Sequence, residues 1–489
     1  MVIHPVSTDP APDVDLSRVR RVHILGIGGT GMAAFAGLLV SAGYEVGGSD
    51  EAIYPPMSDL LASWGLSIFQ GYSPRNLDAA RPDLVVVGNV IRRANPEAEE
   101  LRARGLPYLS FPQALSELFL AKRQPVVIAG THGKTTTSAL VAHLLVSAGR
   151  DPAALIGGVA ENLGSNFRPG DGRPFVVEGD EYDTAYFDKG PKFLHYRPEV
   201  AVLTSVEFDH ADIYRDLAHY ESSFARFVGL LPARGHLAVA AAYPNALALA
   251  GRAACRVESY GLSTGDLRAE GLAFDARGSH FTLARGGRPL GRLTLGVWGR
   301  HNVDNALGAI SVCLFLGLSM DEIARGLVTF AGVRRRQQLL GEPAGVAVVD
   351  DFAHHPTAVR ETIAAVRARF PGRRLLALFE PRSNTSRRAI HQADYAHAFE
   401  GAALALVATP HRASQVPEGE RLDPGKLAGE IAAAGTPARH LPDADAILAA
   451  VLAEARVGDV VLSMSNGAFG GLPARLTVAL AQQGPREAS

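Results

Sequence analysis

The chain has 489 residues, 20% of them charged, with a formal net charge of −2. That length exceeds what one hydrophobic core organises and points to about three domains, while balanced charge excludes a nucleic-acid or membrane-surface binder built on a basic patch. Cys255 and Cys313 stand alone, which excludes a disulfide framework and fits a reducing cytoplasmic setting, and no apolar run approaches the roughly 20 residues of a membrane span, so no membrane insertion is expected.

Met1–Ser17 is rich in proline and aspartate and lacks an apolar h-region, so it reads as a loose tail rather than a signal peptide. Arg21–Gly31, RVHILGIGGTG, is an apolar strand running into Gly26-x-Gly28-x-x-Gly31, and an apolar helix follows through Leu39. Glycines at that spacing allow a tight turn and close approach to a pyrophosphate. A second strand, Tyr44–Gly47, leads to Ser49-Asp50, where a carboxylate can reach a ribose hydroxyl. Alone, this pattern does not separate NAD from a UDP-sugar, or either from a ligand-free turn. Leu84–Gly88 and Tyr108–Leu109 read as further strands of a small parallel-sheet domain ending near residue 121.

Lys122–Gln124 links into Val126–Thr137, VVIAGTHGKTTT. A β-branched strand ends in Gly130-Thr131-His132-Gly133-Lys134-Thr135-Thr136, and Leu140, Val141, Leu144 and Leu145 then share a helix face. Backbone N–H groups and a helix N-terminus cradle phosphate, Lys134 adds a point charge, and the Thr135 hydroxyl suits Mg2+. The standard spacing wants glycine where Ile128 stands, and a chance GKT at a helix start is the alternative. Phe175–Val177 runs into the acids Glu178, Asp180, Glu181 and Asp183, and Val200–Val206 into Glu207, Asp209, His210 and Asp212. Carboxylates at strand ends beside a phosphate loop are placed to hold a hard cation. Residues 251–298 alternate short strands with glycine turns and carry no evident chemistry. Gly299–Asn305 opens a helix on which Asn302 and Asn305 share a face; they bracket an adenine or a phosphate, or Asn302 serves as an N-cap.

Phe330–Gly341, with Arg334, Arg335 and Arg336 in a row, reads as an interdomain connection. A third α/β unit follows, its strands Val346–Val349, Leu375–Phe379, Leu404–Val407 and Val460–Ser463 ending in polar residues that line a crevice. Gly484–Ser489 reads as a frayed tail. The expected fold class is α/β in three domains: Rossmann-like over 1–121, a central P-loop ATPase-type domain with a parallel sheet over 122–335, and Rossmann-like over 336–489. A nicotinamide-dependent oxidoreductase needs no phosphate loop, and a switch GTPase needs no separate dinucleotide-type domain. ATP-driven activation of a carboxylate accounts for all three parts. A non-catalytic nucleotide-binding regulator is the remaining class.

These motifs resemble the Mur ligase family over essentially the whole chain. The residues that carry the likeness are GIGGTGM at 26–32, AGTHGKTTT at 129–137, EGDEYD at 178–183, EFDHAD at 207–212, GRHNVDNA at 299–306, the Arg334–Arg336 run and DDFAHHPTAV at 350–359. The resemblance implies an enzyme of peptidoglycan synthesis that uses ATP and Mg2+ to form a C–N bond through an acyl phosphate. The HHP triplet points to branches acting on UDP-N-acetylmuramate: one adds the tripeptide L-Ala-γ-D-Glu-meso-diaminopimelate in cell-wall recycling, the other adds L-alanine. Three stretches resemble the tripeptide branch: Tyr54–Met57, residues 181–196, and Phe379–Thr385. By the same resemblance, Lys134, Glu178 and His210 are catalytic, and Thr135, Glu178 and His210 hold metal, with His210 alternatively on the transferring phosphate. Gly130, Thr131, Gly133, Lys134, Thr135, Thr136, Asn302, Asn305, Arg336 and Asp351 bind ATP. Gly28, Gly29, Gly31 and Asp50 bind the UDP-sugar, and Arg382, Ser383, Asn384 and Asn466 meet the incoming peptide. Small-molecule substrates are the expected partners, with no nucleic acid and with the oligomeric state left open.

Overall fold

The computed structural model describes residues 14–53 and 57–483. Tyr54–Pro56 and the two chain ends beyond those limits lie outside the described residues, and so do the readings that fall on them.

Three sheets divide the chain. The first is wholly parallel and contains β1 (Arg21–Leu25), β2 (Glu45–Asp50), β3 (Ser67–Gln70), β4 (Leu84–Val87) and β5 (Tyr108–Ser110), in the order β3-β2-β1-β4-β5. The strand order reverses beside β1, so the glycine turn into helix α1 (Thr30–Ser41) opens at the switch point of the sheet. Strands covered on both faces read as unbroken apolar runs, which is how Leu84–Val87 comes to be buried at every position.

The central sheet has ten strands: β6 (Gln124–Ala129), β7 (Ala153–Ala160), β8 (Ser165–Arg168), β9 (Pro174–Gly179), and then β12 (Val200–Leu203), β13 (His236–Ala240), β14 (Arg256–Gly261), β15 (Leu267–Asp275), β16 (Gly278–Arg285) and β17 (Arg288–Leu295). Between β9 and β12 lies a separate hairpin, β10 (Asp183–Ala185) and β11 (Asp188–Pro191). The order is β17-β16-β15-β14-β13-β12-β6-β9-β7-β8. The expectation of a parallel sheet holds for its middle, from β7 to β15, but not for its ends: β8, β16 and β17 pair antiparallel. Gly286 and Gly287, both at positive φ, turn β16 into β17 as two-residue hairpin turns require.

The third sheet runs β18-β19-β23-β20-β21-β22, from β18 (Gln338–Gly341), β19 (Ala347–Asp351), β20 (Leu375–Phe379), β21 (Leu404–Ala408), β22 (Ala438–Leu441) and β23 (Val460–Met464); only β18 is antiparallel. Three further helices bear on the site: α2 (Lys134–Ser147), α3 (Arg300–Phe315) and α4 (Pro356–Arg369).

One apolar core joins the first two sheets: Ile24, Phe35 and Leu38 share a cluster with Val127, Phe175 and Leu203. The hairpin adds to this union. Ala185 and Phe187 are buried among Leu25, Val87, Ile91 and Tyr108 of the first unit, and the Phe187 ring stands edge-on to Tyr108 at 4.9 Å. The clusters of the third unit contain residues of that unit alone. No helix among the described residues is long and apolar enough to cross a membrane.

Candidate active site

The centre of the site is the turn from β6 into α2. Gly130 and Gly133 adopt positive φ, and a Cβ on Gly133 would lie 2.2 Å from Asn305 Oδ1. Only glycine permits both that backbone and that approach of α3. The turn is fixed to the end of β12: Thr131 N–H donates to Ser205 O at 3.1 Å, His132 N–H to Ser205 Oγ at 2.8 Å, and Thr204 Oγ1 to His132 O at 2.5 Å. The Thr131 hydroxyl is committed to the backbone of Glu207 and to Tyr220. Thr131 therefore shapes the loop, and the helix N-terminus from Lys134 onward supplies the free N–H groups for an anion.

Lys134 Nζ is held by Gly130 O (2.5 Å), Thr131 O (3.2 Å) and Glu181 Oε1 (2.9 Å). Burial works against its charge, yet Glu181 and Glu178 keep its pKa above the ordinary value. Glu181 Oε1 also accepts from His210 Nε2 at 3.0 Å and from the Tyr220 hydroxyl at 3.2 Å, while its other oxygen is buried without a partner. Sequence reasoning did not single out Glu181 among the neighbouring acids. The acid run was the signal, but spacing could not say which carboxylate turns toward Lys134.

Glu178, at the end of β9, accepts from Thr135 Oγ1 at 3.1 Å and from Gly157 N–H at 2.8 Å. A Cβ at Gly157 would come 2.7 Å from both carboxylate oxygens. Burial raises the Glu178 pKa even though Lys134 and Arg336 oppose that rise. A hydroxyl and a buried carboxylate beside a phosphate cradle are the oxygen donors Mg2+ prefers, so these residues fit that ion. His210 fits less simply. Despite burial, Glu181 and Asp209 raise its pKa, and its Nε2 is joined to Glu181. That shift favours a phosphate contact over metal ligation, which needs the neutral ring.

Arg336, half-buried, lines the same cleft with Asp351. Asp351 accepts from Gln337 N–H and Ala353 N–H, both at 2.7 Å. Its neighbours have other work: Arg335 binds Asp350, Ser465 O and Gly467 O, and Arg334 reaches Glu161 at 3.5 Å. The cleft, about 310 Å³, is walled by Gly133, Thr135 and Thr136 on one side and by α3 and α4 on others. Asn302 is an interior helix residue donating to Trp298 O at 2.7 Å; Gly299, not Asn302, is the N-cap. Gly299 sits at φ +107°, and a Cβ there would meet Ala365 of α4 at 2.5 Å, so it admits the third unit against α3.

His132, Glu207 and His355 bring ligand atoms within 4.8 Å of one another. The Thr357 N–H points at His355 Nδ1 (3.3 Å), which leaves the proton of a neutral ring on Nε2. That tautomer presents a donor where a metal wants a lone pair, so the trio reads as an interdomain contact.

In the first unit, Asp50 Oδ2 accepts from Gly28 N–H at 2.8 Å, so the acid expected on a ribose braces the glycine turn. Gly29 and Gly31 are exposed at the start of α1, with nothing within 4 Å of a Cβ on Gly31. In the third unit, Ser383 is turned inward onto Ser386 (2.9 Å), and Asn384 reaches Asp212 of the central unit at 2.7 Å. Arg382 stands beside Glu380, which accepts from Ser465, and Asn466 Oδ1 is buried without a partner. Residues 181–196 divide between two places: Glu181, Tyr182 and Lys192 border the reaction centre, whereas 185–188 dock on the first unit.

Comparison with known proteins gives three family matches in order: the Mur ligase family catalytic domain at residues 21–123, the Mur ligase middle domain at 128–313, and the Mur ligase glutamate ligase domain at 335–467. The UDP-N-acetylmuramate–L-alanyl-γ-D-glutamyl-meso-2,6-diaminoheptandioate ligase of Escherichia coli K12 is 37% identical over 95% of this chain and 99% of its own. The UDP-N-acetylmuramate–L-alanine ligase of Rubrobacter xylanophilus is 40% identical over 81% of this chain and 86% of its own. Among solved structures, the murein peptide ligase of Psychrobacter arcticus superposes with a TM-score of 0.70 at 35% identity, covering 94% of this chain and 98% of its own.

Proposed function

The chain belongs to the Mur ligase family, and from that premise we propose that it joins the lactyl carboxylate of UDP-N-acetylmuramate to the amine of L-Ala-γ-D-Glu-meso-diaminopimelate, using ATP, as a cytoplasmic enzyme of peptidoglycan recycling. The observation that carries the reading is the cleft in which Gly133, Thr135 and Thr136 of the phosphate loop face Arg336 and Asp351 of the third unit, with the Thr135 hydroxyl bound to Glu178. The relative from Escherichia coli supports the tripeptide as amine.

In this reading residues 1–121 hold the UDP-sugar through the exposed N-terminus of α1, residues 122–335 hold ATP, and residues 336–489 bring the peptide. A carboxylate oxygen of the acceptor takes the γ-phosphoryl group, ADP leaves, and the resulting acyl phosphate is attacked at its carbonyl carbon by the peptide amine. Phosphate then departs and the amine loses a proton as the amide forms. Lys134 and the α2 N-terminus bear the phosphate charge, Arg336 approaches from the opposite wall, and His210 meets the transferring group. Thr135 and Glu178 would hold Mg2+, which supplies further charge neutralisation when bound. Arg382, beside Glu380, and Asn466, whose Oδ1 is buried without a partner, would meet a peptide carrying several carboxylates.

The alternative is L-alanine addition, favoured by the 40% identity to the Rubrobacter xylanophilus enzyme. Phosphate release with ATP, Mg2+ and UDP-N-acetylmuramate decides it. Turnover with the tripeptide and little with L-alanine supports the proposal, and the reverse result overturns it.

A further inference from the structure

At the end of the nucleotide cleft away from Lys134, two carboxylates face one another from different units. Asp304 lies on α3 and Glu361 on α4, with Tyr243 and Leu262–Thr264 completing the wall. Asp304 Oδ1 is shut off from solvent and has no hydrogen-bond partner. It lies 3.8 Å from where a Cβ on Gly261 would stand, at the end of β14. β14 is the third strand from β6 in the order β6-β12-β13-β14. At about 4.8 Å per strand the end of β14 lies roughly 14 Å from the end of β6, so the wall at Asp304 is on the side of the cleft that suits a nucleobase rather than the phosphates. Burial beside Glu361 raises the Asp304 pKa to about 7, which marks the cost of leaving it unpaired there.

We propose that Asp304, aided by Glu361 across the cleft, accepts a hydrogen bond from the exocyclic amine of the ATP base and selects adenine over bases lacking that donor. This rests on the reading of the cleft as the ATP site. Two acceptors with one orphaned oxygen call for an N–H donor, and the 6-amino group of adenine supplies two. A base with a carbonyl at that position sets oxygen against oxygen. Neither residue belongs to the motif positions that hold phosphate, and Glu361 reaches the base only when the third unit is docked, so base recognition and docking are coupled.

The test is displacement of a fluorescent ATP analogue from the full chain by ATP and by purine riboside triphosphate, which lacks only the 6-amino group. The wild-type protein should prefer ATP by about tenfold or more. Asp304→Leu should weaken ATP by that factor, leave purine riboside triphosphate unchanged and so abolish the preference; Glu361→Gln, on a surface-accessible helix position, should reduce it partly. Retention of the preference in Asp304→Leu, or its absence in the wild type, overturns the proposal. If Asp304→Leu fails to fold, Asp304→Asn decides by the same two affinities, because its amide half-preserves the acceptor and should give an intermediate preference. Loss of ligase turnover in the wild type would count against the proposed reaction without touching this binding result.

Discussion

Lys134 is half-buried and surrounded by two carbonyl oxygens and the Glu181 carboxylate. A cation so placed waits for a phosphate. Replacing it by methionine keeps the volume and removes the charge, and the expected outcome is a fall in kcat of about a thousandfold or more, measured as ADP release. Thermal unfolding of the same variant should fall by a few degrees, because Glu181 and Glu178 lose their largest source of compensation. His236 gives a prediction about pH. Its Nε2 faces Ser311 Oγ at 2.9 Å, that hydroxyl donates to Glu258, and its Nδ1 is buried without a partner. Burial lowers its pKa from 6.5 to about 4. Between those values the unfolded chain binds the extra proton, so stability is lost as pH falls from about 6.5 toward 4 and levels off below. Urea unfolding at pH 7 and pH 5 should show this slope, reduced in His236→Phe.

The elements were legible in the sequence where burial on both faces left an unbroken apolar run, as in Leu84–Val87, Val200–Leu203 and Leu375–Phe379. They were not legible where a strand is half exposed or mixed in composition: Ser67–Gln70, Ser165–Arg168 and Ala438–Leu441 carry no such run. The phosphate loop and the acid-ended strands were readable because chemistry fixes their residue types. Which acid meets Lys134, and where the 181–196 stretch goes, depends on tertiary contacts that spacing does not encode. That stretch resembles the tripeptide branch, yet Ala185 and Phe187 enter the core of the first unit beside Leu25, immediately before Gly26. Phe187→Ala should cost about 3–5 kcal/mol of stability, read from denaturant unfolding. It should also raise KM for UDP-N-acetylmuramate more than KM for ATP, because the loosened contact lies under the glycine turn and away from Lys134.

The third unit joins the rest chiefly through polar contacts. Asn384 meets Asp212, Thr357 meets Glu207, and His391 meets Phe208 O, while its apolar clusters stay its own. Polar interfaces exchange readily with water, so this unit is the one that opens. Small-angle scattering should show compaction when ATP and UDP-N-acetylmuramate are added together, and Asn384→Ala should shift the nucleotide-free protein toward the open form. Equal scattering curves in all three cases would contradict this.

The shared core of the first two units has a mechanical meaning as well. Phe187 and the cluster of Ile24 with Val127 weld the first unit to the central unit that carries the glycine loop at 130–135. The described units thus share one joint, near residues 331–337, and under the proposed function an acceptor held on the first unit would keep a constant bearing on Lys134 through every opening. A protease acting on the open form should accordingly release two stable pieces, with the glycine turn at 26–31 and the loop at 130–135 on the same one.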